Sequence, residues 1–203
     1  MKWTGSRGVV LPPARLLLKQ TPRQTRTGPL RIAFLGRQAY HKGWEVFRQL
    51  AETFKSDSRF EFYQFSEFPH GLPRGVVHHV PVKVDAEHRD AMVRAVALRE
   101  IDVVVCWSLW PETFNFTAHE AIAAGAFLVV RRDQGNVWPA AQTYAPQASR
   151  AVENEFELEQ YLRSGRLIDE VAASPRFLGA ALQSMGSAEL LAVAHQTQEV
   201  TRV

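Results

Sequence analysis

The run Ile101-Asp102-Val103-Val104-Val105-Cys106 and the run Ala126-Phe127-Leu128-Val129-Val130 constrain this chain most. Each is a short apolar, β-branched stretch of strand length. The intervening residues hold a proline, Pro111, and then a segment that reads as one helix ending before Gly125. Two such strands joined by one helix form a βαβ unit. Polar residues gather directly after the first strand. In open parallel sheets ligands bind at that carboxyl edge.

The rest of the chain repeats the alternation. Leu30–Gly36 reads as a strand ending in glycine. Lys42–Lys55 carries Trp44, Val46, Phe47, Leu50, Ala51 and Phe54 at a helical period. Phe60–Phe65 alternates aromatics as a strand does, and Val76–Val84 is β-branched. Asp85 is placed to cap a helix over Ala86–Leu98. Ala148–Val152 reads as a short strand and Glu153–Ser164 as a helix ending before Gly165. The remainder to about His195 reads as helix interrupted at Pro175 and Gly186. The expected class is α/β, a Rossmann-like parallel sheet with helices on both faces. The expected division is a basic connector over 1–29 and a single domain over 30–203.

Charge is unevenly spread. The formal net charge is +3, yet residues 1–31 hold Lys2, Arg7, Arg15, Lys19, Arg23, Arg26 and Arg31 and no acid, so the remainder is acidic overall. Prolines at 12, 13, 22 and 29 break this arm up and favour a solvated linker over a targeting helix. Only Trp3 offers a ring there, too little for a nucleic-acid stacking platform, so no nucleic-acid partner is expected. One cysteine, Cys106, excludes a disulfide framework. No apolar run approaches the roughly 18 residues of a membrane span. His70, His78 and His79 do not combine with acids at a metal-ligand spacing, so no metal site is expected.

The chemistry concentrates on Glu112 and Glu120. Pro111 prevents the helix from starting before Glu112, so Glu112 lies on the loop and Glu120 one to two turns into the helix. Between them are the free amides of the helix N-terminus, near Phe114, Asn115, Phe116 and Thr117, which favour a phosphate. The order is carboxylate, anion site, carboxylate. A nucleotide-sugar has the matching order of hydroxylated sugar, diphosphate and hydroxylated ribose, and carboxylates accept from hydroxyls. The turn Gly36–Gly43 also joins a strand to a helix, and its Arg37 and Lys42 would reach the same edge as phosphate partners. His41, beside Lys42, is a candidate for phosphate whose default is an ordinary loop position, and His119 faces another side of the helix from Glu120, where a structural or exposed role is expected. Trp107, Trp110 and Trp138 are candidate stacking rings whose default is core packing. The glycines do not fit a dinucleotide fingerprint, and Lys42 is followed by neither Ser nor Thr as a P-loop lysine would be. A glycosidase pair would need carboxyls about 5–9.5 Å apart.

Gly36-Arg37 with Lys42-Gly43, then Trp110-Pro111-Glu112-Thr113-Phe114 through Glu120-Ala121-x-Ala123-x-Gly125, resembles the donor-binding half of retaining GT-B glycosyltransferases of the Glu-x7-Glu group (family 4-like). The resemblance covers about residues 30–150. It implies that Glu112 lies at the sugar and is catalytic. It further implies that Glu120 holds the ribose, that Arg37 and Lys42 hold the diphosphate, and that the amides of Phe114 to Thr117 assist. It implies a nucleotide-diphosphate sugar as donor substrate and no resident cofactor. It also implies a glycan or lipid-linked acceptor, and a cytoplasmic site with possible peripheral contact of the basic arm with the inner membrane face. Two features depart from the pattern. Phe127 stands where proline is usual, and the loop Arg131–Asn136 keeps one glycine where a Gly-Gly pair is frequent. The partner half that would bind the acceptor is not recognised in these residues. Val9–Pro13 resembles the strand and turn that lead into such a domain. The expectation is therefore a donor-binding domain incomplete without an acceptor domain or subunit, with a non-catalytic nucleotide-binding or scaffold domain as the alternative.

Overall fold

The computed structural model describes residues 14–24 and 27–183. Contacts group residues 16–181 into one unit; a second, of 1–15 and 182–203, falls almost wholly outside the described residues. The elements in chain order are β1 (Ala14–Thr21), β2 (Leu30–Leu35), α1 (Trp44–Thr53), β3 (Phe60–Ser66), β4 (Val77–Pro81), α2 (Ala91–Leu98), β5 (Val103–Cys106), α3 (Phe116–Ala123), β6 (Phe127–Arg131), α4 (Val137–Tyr144), β7 (Ser149–Val152), α5 (Glu155–Arg163), α6 (Arg166–Ala173) and β8 (Arg176–Gln183).

Six strands form one parallel sheet in the order β4-β3-β2-β5-β6-β7. The two apolar runs around α3 lie at its centre: Val103 to Cys106 lie beside Phe127 to Val130 in register, and all eight are buried. From β2 the chain moves outward to β3 and β4, then returns to β5 and proceeds the other way. Right-handed crossovers in opposite directions put α1 on one face and α2, α3 and α4 on the other. Accordingly α3 packs against both α2 and α4, while Arg163 at the end of α5 lies over the ring of Phe54, the C-cap of α1. Under α1, Phe47 meets Phe34, Trp44 and Phe62 at ring-centroid distances of 5.6, 5.9 and 6.0 Å. The reversal between β2 and β5 is the topological switch point, and the crevice outside their carboxyl ends is where this sheet can hold a ligand.

The α/β expectation therefore holds, with local corrections. Asp85 does not cap α2. Its carboxylate accepts from the amides of Glu87 (3.1 Å) and His88 (2.9 Å) in a turn of its own, and the helix begins at Ala91 after Asp90. A short polar side chain captures nearby amides as readily in a turn as at a cap. The helical reading after Gly165 holds only for α6. Residues 176–183 are strand β8, paired with β1 in a two-stranded sheet. Gly179 permits that pairing, because a Cβ there would stand 1.8 Å from the carbonyl oxygen of Leu17. α4 was not expected; Pro139 hides it but sits in its first turn, where no amide is required. β1 lies inside the expected connector, and the expectations for Val9–Pro13 and for residues 184–195 fall outside the described residues. Among the described residues no helix is long and apolar enough to cross a membrane.

Candidate functional site

Two loops meet over the switch point. The loop after β2 runs from Gly36 through a 3-10 turn, Tyr40–Lys42, to Gly43. The loop after β5 runs from Trp107 to Asn115. They are tied by a hydrogen bond from the Leu109 amide to the His41 carbonyl, 2.9 Å. They also touch directly: Gly43 has φ 77°, and a Cβ on it would lie 1.9 Å from the Trp107 carbonyl oxygen. Lys42 and Glu112, seventy residues apart in the chain, are thereby brought together. Lys42 Nζ donates to Glu112 Oε1 at 2.9 Å, and the Ser108 hydroxyl donates to the same oxygen. The Glu112 side chain is only 9% exposed and that of Lys42 38%.

The backbone of Glu112 is fixed as firmly as its carboxylate. Its amide donates to the Gln134 carbonyl (3.0 Å), and its carbonyl accepts from the Asn136 amide (2.9 Å). This places Glu112 opposite Gly135 as an isolated parallel bridge. Gly135, at φ 69°, is the glycine that the loop after β6 keeps, and a Cβ there would come 2.6 Å from the Glu112 carbonyl oxygen. Where the usual glycine pair would be, Gln134 is fully buried. Its Nε2 donates to the Cys106 carbonyl at 2.6 Å, and its Oε1 is buried without a hydrogen-bond partner among the described residues. Burial, with Glu112 nearby as the next cause, pushes the Cys106 thiol up to about 12, so it remains a neutral core group.

Helix α3 starts at the expected place. Asn115, buried and extended (φ −126°), is its N-cap, and its Oδ1 accepts from the Ala118 amide and the Thr117 hydroxyl, both 2.8 Å. The first amides of a helix have no intrahelical acceptor, and those of Phe116 and Thr117 find none elsewhere among the described residues. Lys42, Ser108, Asn115 and Thr117 line one small recess at this edge. Asn115→Ala is expected to cost about 0.5–2 kcal/mol of stability, whereas Asn115→Asp keeps the cap; urea unfolding of the two variants checks this.

Glu120 lies on the first turns of α3, half-buried, and its side chain makes no hydrogen bond or ion pair to the described residues. Burial alone pushes its carboxyl up to about 7. The contrast with Glu112 is sharp: one carboxylate is held on Oε1 by two donors, the Lys42 ammonium and the Ser108 hydroxyl, and the other has no side-chain partner among the described residues. Arg37 is exposed on the loop after β2 and likewise makes no side-chain bond among the described residues. Phe114 turns its ring onto His119, stacked at 4.3 Å, instead of presenting only an amide. His119 is buried, its Nδ1 bonded to the Asn115 carbonyl at 2.8 Å, and burial lowers its pKa. It is a structural histidine. Trp107 is core, with Nε1 donating to Glu155 at 3.0 Å, and Trp138 packs against the core. Trp110 is different: it is exposed and stacked on His41. Sequence reasoning missed Ser108 and Gln134, although Ser108 stands four residues before Glu112. Another hollow, lined by Arg23, Leu30, Asp102 and Val171, lies at the amino ends of β2 and β5 and is mostly apolar. It is at the wrong edge for this chemistry. Among the described residues no three metal-ligating side chains are grouped.

No family model matches the chain, and no curated protein matches it. Solved structures do. The C-terminal domain of a glycosyl transferase group 1 family protein (LpcC) from Francisella tularensis superposes with a TM-score of 0.52 at 18% identity, over 76% of this chain and 88% of that one. The fold is that of a GT-B glycosyltransferase C-terminal domain. Anabaena Alr3699/HepE, solved with UDP and glucose and again with UDP-glucose, matches at TM-scores of 0.51 and identities of 13% and 14%, over 72% of this chain. This chain spans 41% of that protein's length.

Proposed function

We propose that this chain is the donor-binding domain of a retaining glycosyltransferase, which takes a sugar from a nucleotide-diphosphate sugar and completes its active site with an acceptor-binding domain or subunit. One arrangement carries the reading: along the chain the unoccupied amides of Phe116 and Thr117 stand between Glu112, held on one carboxylate oxygen by Lys42 and Ser108, and Glu120, whose carboxylate has no partner among the described residues, and Lys42 lines the same recess as Thr117. The diphosphate would sit on those amides, where the helix dipole favours negative charge, with Lys42 and Arg37 as its cations. Glu120 would accept from the ribose hydroxyls and Glu112 from the sugar. Lys42 has three protons, so it can turn toward a phosphate oxygen while Ser108 continues to hold Glu112. An acceptor hydroxyl then attacks the anomeric carbon from the face that the nucleotide leaves: the bond from that carbon to the diphosphate oxygen breaks, the hydroxyl proton passes to that departing oxygen, and the amides and cations stabilise its charge. No step uses a metal. The acceptor is a glycan or a lipid-linked acceptor, handled on the cytoplasmic side. The UDP and sugar held by the Anabaena protein support the ligand class.

Titration calorimetry with UDP, GDP and ADP tests this. One of the three is expected to bind. Glu120→Ala should weaken it by about 10- to 100-fold, the worth of hydrogen bonds to a charged group. Glu112→Ala should weaken mainly the sugar-bearing form. Heat from none of the three nucleotides would end the donor-site reading.

A further inference from the structure

A tryptophan on a loop is ordinarily drawn into the core by its apolar area. Trp110 is not: 56% of it is exposed, and it is absent from the core cluster. Nor is it loose. The His41 imidazole stacks on its ring, centroids 4.9 Å apart and planes within 16°. The main chain on either side is fixed, by the Leu109 amide on the His41 carbonyl and the Arg131 guanidinium on the Leu109 carbonyl (3.3 Å), and Pro111 follows. No second ring or cation covers the indole among the described residues, and its Nε1 makes no hydrogen bond to them. Tyr40, one residue before His41, is 76% exposed. The chain thus holds one face of an indole rigidly and leaves the other to solvent, one residue from Pro111 and two from Glu112.

We propose that Trp110 is the platform on which a pyranose ring of the acceptor stacks, next to Glu112. This rests on the donor-site reading above. The axial C–H groups of a pyranose carry weak positive charge, and an aromatic face is negative. The equatorial hydroxyls then point sideways, toward the indole N–H and the polar edge formed by Lys42 and Glu112. A ring already fixed by His41 loses little freedom on stacking, which favours weak, flat ligands. Position decides between a sugar and a nucleobase. Along the loop and helix the order is Trp110, Glu112, the amides of Phe116 and Thr117, then Glu120. A base attached to ribose at Glu120 lies at the far end from Trp110. The donor sugar lies between Glu112 and the amides, so a ring on Trp110 stands on the outer side of Glu112, where an acceptor hydroxyl must approach.

Saturation-transfer NMR on the full chain with saturating UDP reads this directly, using methyl glycosides of glucose, galactose, mannose and N-acetylglucosamine. At least one is expected to receive saturation on the C–H protons of one ring face. Trp110→Ala should abolish that signal, Trp110→Phe should keep part of it, and UDP affinity by calorimetry should be unchanged in both. Trp110 is exposed and outside the core, and a thermal melt of each variant identifies any misfolding. Saturation that persists in Trp110→Ala, or no signal from any glycoside while UDP binds, overturns the platform and leaves the donor site standing. Weakened UDP affinity in Trp110→Ala also overturns it and gives the ring to the nucleobase. Absence of binding by any nucleotide is the separate failure of the donor reading.

Discussion

Replacing Gly43 with alanine is expected to cost the fold about 3 kcal/mol or more and to disable the proposed donor site. Two effects add. Residue 43 is left-handed, at φ 77°, where a non-glycine residue carries strain of roughly 1–3 kcal/mol. The new methyl group would also lie 1.9 Å from the carbonyl oxygen and 2.7 Å from the carbonyl carbon of Trp107. Those are main-chain atoms, so no side-chain rotation relieves the overlap and the two loops must separate. For a domain of this size the loss corresponds to a fall in Tm of about 6–12 °C. Gly71→Ala is the control: Gly71 is also left-handed, at φ 58°, but its Cβ would meet nothing within 4 Å. It should show the strain alone. Thermal unfolding by circular dichroism separates the two. Because Lys42 precedes Gly43 and Trp107 starts the loop that carries Glu112, the folded fraction of Gly43→Ala should also lose most of its nucleotide affinity. Equal melting of the two variants would mean that the loops are not in the contact described.

That contact explains what the sequence could and could not disclose. The parallel sheet was legible because its centre, Val103–Cys106 beside Phe127–Val130, is buried on both faces and so written as continuous apolar runs. The start of α3 was legible because Pro111 forbids an earlier one and Asn115 is a strong cap. Glu120 could be placed by its distance along the helix. What distinguishes Glu112 was not legible. Its partners come from three loops: Lys42 after β2, Ser108 after β5, and the main chain of residues 134–136 after β6. Pairings over such separations carry no local pattern. Gly43 and Gly135 did mark the places, but a lone glycine in a loop does not name the backbone it must admit. β8 was missed for a similar reason: Phe177, Leu178 and Gly179 become a strand through β1, which lies some 150 residues earlier in the chain. Asp85 misled because an Asx turn and an N-cap present the same residue to the same kind of donors.

The second large effect concerns pH. Glu120 titrates near 7 in the folded chain, raised by burial, against 4.5 without that burial. Below about pH 4.5 both folded and unfolded chains hold the proton, and its full stabilising contribution is present. Between about 4.5 and 7 the unfolded chain releases the proton first, so the folded state binds more protons and stability falls as pH rises. The total is on the order of 3 kcal/mol, since each pKa unit is worth about 1.4 kcal/mol. Above about 7 the loss is complete and flat. Carboxylates whose pKa is lowered, such as Glu155 held by Trp107, act in the opposite sense, so the comparison is with Glu120→Gln, which shares them. Urea midpoints from pH 4.5 to 8 should fall in the wild type relative to Glu120→Gln, by most of that amount. A ribose at this site reverses the cost. Hydroxyls that donate to the carboxylate favour its charged form, so nucleotide binding near pH 7 should release protons. Calorimetry in buffers of different ionisation enthalpy should record that release in the wild type, lose it by pH 9, and find none in Glu120→Gln. Parallel stability profiles would show that Glu120 is not held away from water as described. A desolvated carboxylate without a partner destabilises the empty domain. It is tolerable in a binding site because the ligand's hydroxyls supply the missing donors, so the cost that Glu120 carries in the empty domain points to the kind of ligand that relieves it.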